Sequence, residues 1–158
     1  MTTDSAQTAT QRAVRTYHEA RFRGDVTTAA AQIGEGFSFR SPFITSDSPT
    51  GHLDGLDGLL GIVTGVELIS ELYGDTEATL VYDVHTAPAI GITQHTAEHF
   101  RLRDGRITSI ALLFDSAPWQ AIMSAVGPTP DEAATKPDPE PATTAVKRPG
   151  LPERHSIT

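Results

Sequence analysis

Residues 97–114 read AEHFRLRDGRITSIALLF. Apolar and polar side chains alternate on both sides of Asp104-Gly105, a pair suited to a two-residue hairpin turn because both positions tolerate positive φ. The stretch therefore predicts two antiparallel strands, near 91–102 and 106–115. On the first, Thr96, Glu98, Phe100 and Leu102 share one face, while His95, Ala97, His99 and Arg101 share the other, since side chains alternate along a strand. The first set is the more apolar and is expected to face the core. Upstream, strands are expected near 66–73 and 77–86, joined at Gly74-Asp75. On the second of these Leu80, Tyr82 and Val84 read as the core face, and Val81, Asp83 and His85 as the opposite one.

The half of the chain before this meander reads as mostly helical. From about Ser5 to Arg23, Val14, Tyr17, His18, Arg21 and Phe22 recur at helical spacing. Gly24 ends that helix, and Asp25 is placed to cap a second, shorter one running to Ala31. FSFRSP, residues 37–42, reads as a strand that turns Phe37, Phe39 and Ser41 one way and Ser38 and Arg40 the other, with Pro42 stopping it. Residues 45–51 are turn-rich. In 53–64, Leu53, Leu56, Leu59, Leu60 and Val63 fall on one helical face, although each glycine there weakens a helix by roughly 1 kcal/mol relative to alanine. Helices first and a strand meander afterwards point to an α+β domain, with helices laid over one face of a curved sheet.

Seven of the 11 prolines lie at or beyond Pro128, and 128–158 has no aromatic residue and no hydrophobic period. Such a segment buries too little apolar surface to offset its ordering entropy, so a folded domain over 1–127 and a disordered proline-rich tail over 128–158 are expected. The chain has no cysteine, which excludes disulfides, thiolate metal sites and thiol nucleophiles. Its net charge is -8 without a basic cluster, which argues against nucleic acid as a partner. The opening MTTDSAQTATQ lacks the apolar centre of a signal peptide, and no apolar run approaches the ~20 residues that span a bilayer. A cytoplasmic location without membrane association is expected.

Three stretches together resemble the nuclear transport factor 2-like superfamily, which includes ketosteroid isomerases, limonene epoxide hydrolases and SnoaL-like polyketide cyclases. They are VRTYHEARFRGDVTTAAAQIGEGFSFRSPF (14–43), the hairpin 97–114, and the exit FDSAPWQAIM (114–123). The resemblance implies a cone-shaped, curved antiparallel or mixed sheet, covered on its concave face by the N-terminal helices and enclosing an apolar pocket. Fold alone does not decide activity among such proteins.

By the resemblance, Tyr17 matches the oxyanion-hole tyrosine of ketosteroid isomerases, and Glu98 matches their second, protonated donor. The position of the proton-abstracting aspartate is Ser41, which cannot act as that base, so steroid isomerisation is disfavoured. Leu112 stands where epoxide hydrolases carry one of their aspartates, which disfavours that chemistry too. SnoaL-like cyclases use an aspartate and a histidine; Asp115 and His85, His95 or His99 are the candidates here. Each has another reading: Asp115 as a helix cap, and the histidines as part of a subunit interface on the outer sheet face.

Glu98 is either a carboxyl group in an apolar cavity, where it holds its proton or finds a partner, or it lies at the cone mouth or pairs with Arg101 or Arg40. Phe37, Phe39, Leu72, Phe100, Leu112 and Phe114 are expected to line the pocket, with Ser41, His52 near the mouth and Trp119 as a lid. His95 and His99 are i, i+4 on a strand, about 13 Å apart, and do not converge on a metal. The expected function is cofactor-free acid–base chemistry, of cyclase, isomerase or dehydratase type, on a small apolar polyketide- or terpenoid-like molecule. Tyr17, Glu98, Asp115 and His85 are its candidate catalytic residues. The alternative is a non-catalytic ligand- or protein-binding module; a homodimer is expected in either case.

Overall fold

The computed structural model describes residues 2–126, so the tail expected at 128–158 lies outside the described residues. Helix α1 (Thr2–Arg23) buries Thr10, Ala13, Val14, Tyr17, Ala20 and Arg21, one stripe at helical spacing. It ends as Gly24 turns to φ 79°, with Gly24 N–H donating to the Arg21 carbonyl and Asp25 N–H to that of Ala20. This pair of bonds closes a helix C-terminus that glycine alone enters without strain. Asp25 then caps α2 (Val26–Ala30), accepting from Thr28 N at 3.0 Å.

Six strands form one sheet in the order β2-β1-β6-β5-β4-β3. They are β1 (Ile33–Arg40), β2 (Thr45–Ser46), β3 (Val63–Tyr73), β4 (Glu77–Thr86), β5 (Thr93–Arg103) and β6 (Arg106–Phe114). β3 to β6 run as the expected antiparallel meander, and β1 joins β6 in parallel. Gly34 permits that last junction, because a Cβ there would lie 2.9 Å from Arg106 Cβ. At the β5–β6 turn Arg103 pairs with Arg106, and Asp104 and Gly105 take φ 51° and 72°, as the two-residue reading requires. Register shifts at Leu68/Ser70 on β3, Arg101/Leu102 on β5 and Ile33/Ser38 on β1 interrupt the ladders. Such bulges bend and twist strands, and α1 packs against β3, β4 and β6.

The faces divide as the alternation predicts: Thr96, Glu98, Phe100 and Leu102, with Ala78, Leu80, Tyr82 and Val84, are all buried under α1. Three local expectations change. The helix expected over 53–64 is a 3-10 turn (Gly51–Leu53) followed by α3 (Leu56–Leu60); Gly55 at φ 78° separates them, and Val63 already opens β3. The β3–β4 connection is wider than two residues, since Tyr73 pairs with Ala78 and Gly74 N–H donates to the Glu77 carbonyl. The terminal turn expected after Asp115 extends into α4 (Ala117–Val126).

Candidate functional site

Between the concave face of the sheet, the end of α1, the 3-10 turn with α3, and α4 lies a cavity of about 310 Å³. Its walls are mainly apolar, with Phe22, Phe39, Leu56, Leu112, Phe114 and Trp119 among them. Its polar lining comes from Arg21, Ser41, His52, Asp54, Tyr82 and Gln94, and α1 places the decisive group. Arg21 follows Tyr17 by one turn on the buried stripe, and so points into the cone instead of into solvent. On β5, Glu98 sits between its neighbours Leu80 on β4 and Leu112 on β6. The two meet in a two-pronged ion pair: Arg21 Nη1 donates to Glu98 Oε2 at 2.6 Å and Nη2 to Oε1 at 2.8 Å.

Both members are nearly dry, with side chains 7% and 0% exposed. Arg21 Nη2 also donates to Tyr82 Oη at 2.7 Å, and Tyr82 donates on to Glu98 Oε1 at 3.2 Å. Arg21 Nη1 makes a longer contact of 3.4 Å to Tyr17 Oη. Burial opposes the Arg21 charge, but the Glu98 carboxylate and the two phenols more than offset it, and its pKa stands above the ordinary guanidinium value. Burial pushes both phenols up, Tyr17 and Tyr82 alike. Arg21 Nε is the guanidinium atom left without a partner, although it is buried.

His52, on the 3-10 turn, joins the same buried network. Its ring stacks on Phe39 at 4.6 Å and lies 5.1 Å from Phe37, while Nε2 is 2.8 Å from Tyr17 Oη. Burial, and then the nearby Arg21 charge, lower its pKa to about 4, so the imidazole is neutral at pH 7. The Ser48 backbone acts on the ring in the opposite sense, but His52 Nδ1 makes no hydrogen bond and is buried. Arg21 Nε and His52 Nδ1 are thus both enclosed in the packing of residues that line the cavity. Asp54, exposed on the chain beside His52, is the only carboxylate among the described residues lining it.

Of the residues anticipated for the pocket, Phe39, Ser41, His52, Leu112, Phe114 and Trp119 line the cavity. The Ser41 hydroxyl oxygen accepts from Phe43 N and Ile44 N and so holds the turn after β1. Trp119 Nε1–H donates to Gln94 Oε1 at 2.9 Å, tying α4 to β5. Phe37 and Phe100 are buried behind the wall, Phe37 against His52 and Phe100 edge-on to Tyr17 at 5.8 Å. Tyr17 and Glu98 also stand behind the lining and reach it through His52 and Arg21. The Glu98 partner is Arg21, not Arg101 or Arg40.

Three expectations fail on position. Leu72 is 66% exposed, because the shift at Leu68/Ser70 puts it opposite Thr79 on the outer face. His85 also lies on the outer face, 3.5 Å from Glu67 and bonded to Thr93 at 3.3 Å. Asp115 is exposed and accepts from Ala117 N at 3.0 Å at the start of α4, which is the cap reading. His95 and His99 pair on that outer face with Asp83 and Glu77. Arg21, Tyr82 and Asp54 were not anticipated as site residues. The available signal was a charged residue on the apolar stripe of α1.

No family model matches the chain, and no curated protein matches it either. Solved structures do. A protein from Kribbella flavida DSM 17836 superposes with a TM-score of 0.64 at 27% identity, over 73% of this chain and 93% of that one. A nuclear transport factor 2-like protein of unknown function from Cytophaga hutchinsonii ATCC 33406 gives 0.58 at 18%, over 70% and 94%. A candidate polyketide cyclase from Xanthomonas campestris pv. campestris gives 0.58 at 18%, over 73% and 97%. The chain therefore has the nuclear transport factor 2-like fold. No helix among the described residues is long and apolar enough to cross a membrane.

Proposed function

We propose that the cone takes up a small, largely apolar molecule carrying one acceptor oxygen, and acts on it by cofactor-free acid–base chemistry of the cyclase, isomerase or dehydratase type. The observation that carries this reading is the asymmetry of the cavity. Its walls are mainly apolar, while Arg21, Tyr82 and His52 bring polar side chains of the buried network into the lining. Those polar side chains would stabilise negative charge developing on the ligand oxygen, as fixed donors in dry surroundings do. Proton removal falls to Asp54 in this reading, because Glu98 is already held by Arg21 and Tyr82. The likeness to a candidate polyketide cyclase fits such a substrate class.

The engagement of Glu98 by Arg21 and Tyr82 also favours a second reading, a non-catalytic binding module of the same fold that works as a homodimer. One experiment separates them. The bicyclic ketone 2-decalone is incubated with the full chain in D2O, and loss of its α-proton signals is followed by NMR. The enzyme reading predicts exchange well above the buffer rate, and a decrease of about a hundredfold in Asp54→Asn. Ketone binding without accelerated exchange supports the module; exchange unchanged in Asp54→Asn removes that residue from the mechanism.

A further inference from the structure

Resting on the pocket reading above, we propose that the ligand is longer than the cavity. Its oxygen-bearing end enters the cone, and an uncharged hydrocarbon extension lies across an apolar rim formed by Phe43, Ile44, Leu59 and Met123.

The side chains lining the cavity divide by exposure. Phe39, Tyr82 and Val84 line it and are buried. Leu112, Phe114 and Trp119 line it half-buried. Phe43, Ile44, Leu59 and Met123 line it too, yet are 45%, 38%, 38% and 55% exposed. A side chain that both lines a cavity and meets solvent to this extent stands where the cavity opens. The four come from the turn between β1 and β2, from α3 and from α4, so three separate parts of the chain border the mouth. Phe43 also lies 5.8 Å, ring to ring, from Phe114 of the wall, which joins rim and wall in one apolar surface. Apolar side chains gathered around one opening mark a binding surface, unlike single ones scattered over a protein.

Charge decides what covers this rim. Asp54 lines the cavity as an exposed carboxylate, and Asp57 is exposed on α3 two residues before Leu59. The one cation among the described lining residues, Arg21, is buried and held by Glu98. A second copy seated on the same rim about a two-fold axis would set these carboxylates against their own counterparts. An anionic chain would be repelled by them as well. A neutral hydrocarbon chain meets neither obstacle and continues the apolar path that begins inside.

Binding is read from the fluorescence of Trp119, the only tryptophan of the chain and part of the cavity wall. The full chain is titrated with 2-decalone and with 6-butyl-2-decalone. A fully buried methylene contributes roughly fourfold in affinity, so a butyl chain half covered on the rim should bind about tenfold tighter than the parent. In Phe43→Ser/Met123→Ser, shown to be folded by circular dichroism, that advantage should largely disappear, and Met123→Ser alone should lose part of it. Leu72→Ser, which removes an exposed leucine from the outer face, should keep it. The same butyl chain ended by a carboxylate should gain less than butyl itself. An advantage undiminished in the rim variant, one lost equally in Leu72→Ser, or a greater gain with the carboxylate would overturn the proposal. So would a wild-type dimer that the rim variant converts to a monomer in sedimentation, since a second copy would then cover the rim. If neither ketone binds the wild type, the pocket reading itself fails and takes this inference with it. If 2-decalone binds and the butyl chain adds nothing, only the extension fails.

Discussion

Arg21 and Glu98 lie 77 residues apart in sequence, yet meet through two hydrogen bonds of 2.6 and 2.8 Å inside the cone. Each charge is stable there because the other is present. Replacing one partner leaves an uncompensated buried charge, whereas replacing both restores an apolar interior. Arg21→Met is therefore expected to lose roughly 3–5 kcal/mol of stability. Arg21→Met/Glu98→Leu, with its new leucine between Leu80 and Leu112, should lose much less than the two single changes summed. Urea unfolding of the four proteins measures this, and additive losses would show that the pair is not coupled.

The buried histidines give the fold a defined acid limit. Burial lowers the pKa of His18 to about 4, with the Arg21 charge adding to the effect, and His52 is lowered to about 4 in the same way. The ordinary value is about 6.5. Between these limits the unfolded chain binds protons that the folded one refuses. Stability is thus full above about pH 6.5 and declines as pH falls towards 4, by roughly 2–3 kcal/mol per histidine. His18 packs between Phe22 at 5.1 Å and Tyr82 at 4.8 Å. His18→Phe should therefore remove about half of the slope in a plot of unfolding midpoint against pH.

Two glycines should respond in opposite directions to alanine. Gly105 sits at φ 72° in the β5–β6 turn, where a Cβ is strained, and Gly105→Ala is expected to lower stability by roughly 1 kcal/mol. Gly58 lies within α3, and beyond its own stretch of helix no atom comes within 4 Å of the point where its Cβ would stand. Gly58→Ala should raise stability by roughly 0.5–1 kcal/mol, through helix propensity and a less flexible unfolded chain. Thermal or urea midpoints decide both.

What could be read from the sequence was what depends on local periodicity. The alternation in 97–114 placed Phe100 and Leu102 inside and Arg101 outside, and the Asp104-Gly105 pair located the hairpin. Gly24 and Asp25 marked the end of one helix and the start of the next. The inner position of Glu98 was legible for the same reason, but its partner was not, because pairing across 77 residues leaves no local trace. His52 follows a proline-threonine-glycine turn, which has the look of a solvated loop. Its burial comes from Phe37 and Phe39 on β1, which only the folded chain brings over it. The bulge that carries Leu72 to the outer face is likewise invisible to a strict two-residue alternation.

The cavity between Arg21 and Trp119 is the proposed binding site for a small apolar molecule. The direct measurement is a titration of the full chain with 2-decalone, followed through Trp119 fluorescence, beside a Leu112→Phe variant that fills part of the cavity and is shown to be folded by circular dichroism. A saturable change in the wild type, at least tenfold weaker in the variant, is the predicted result. No saturable change, or the same affinity in both proteins, would contradict it.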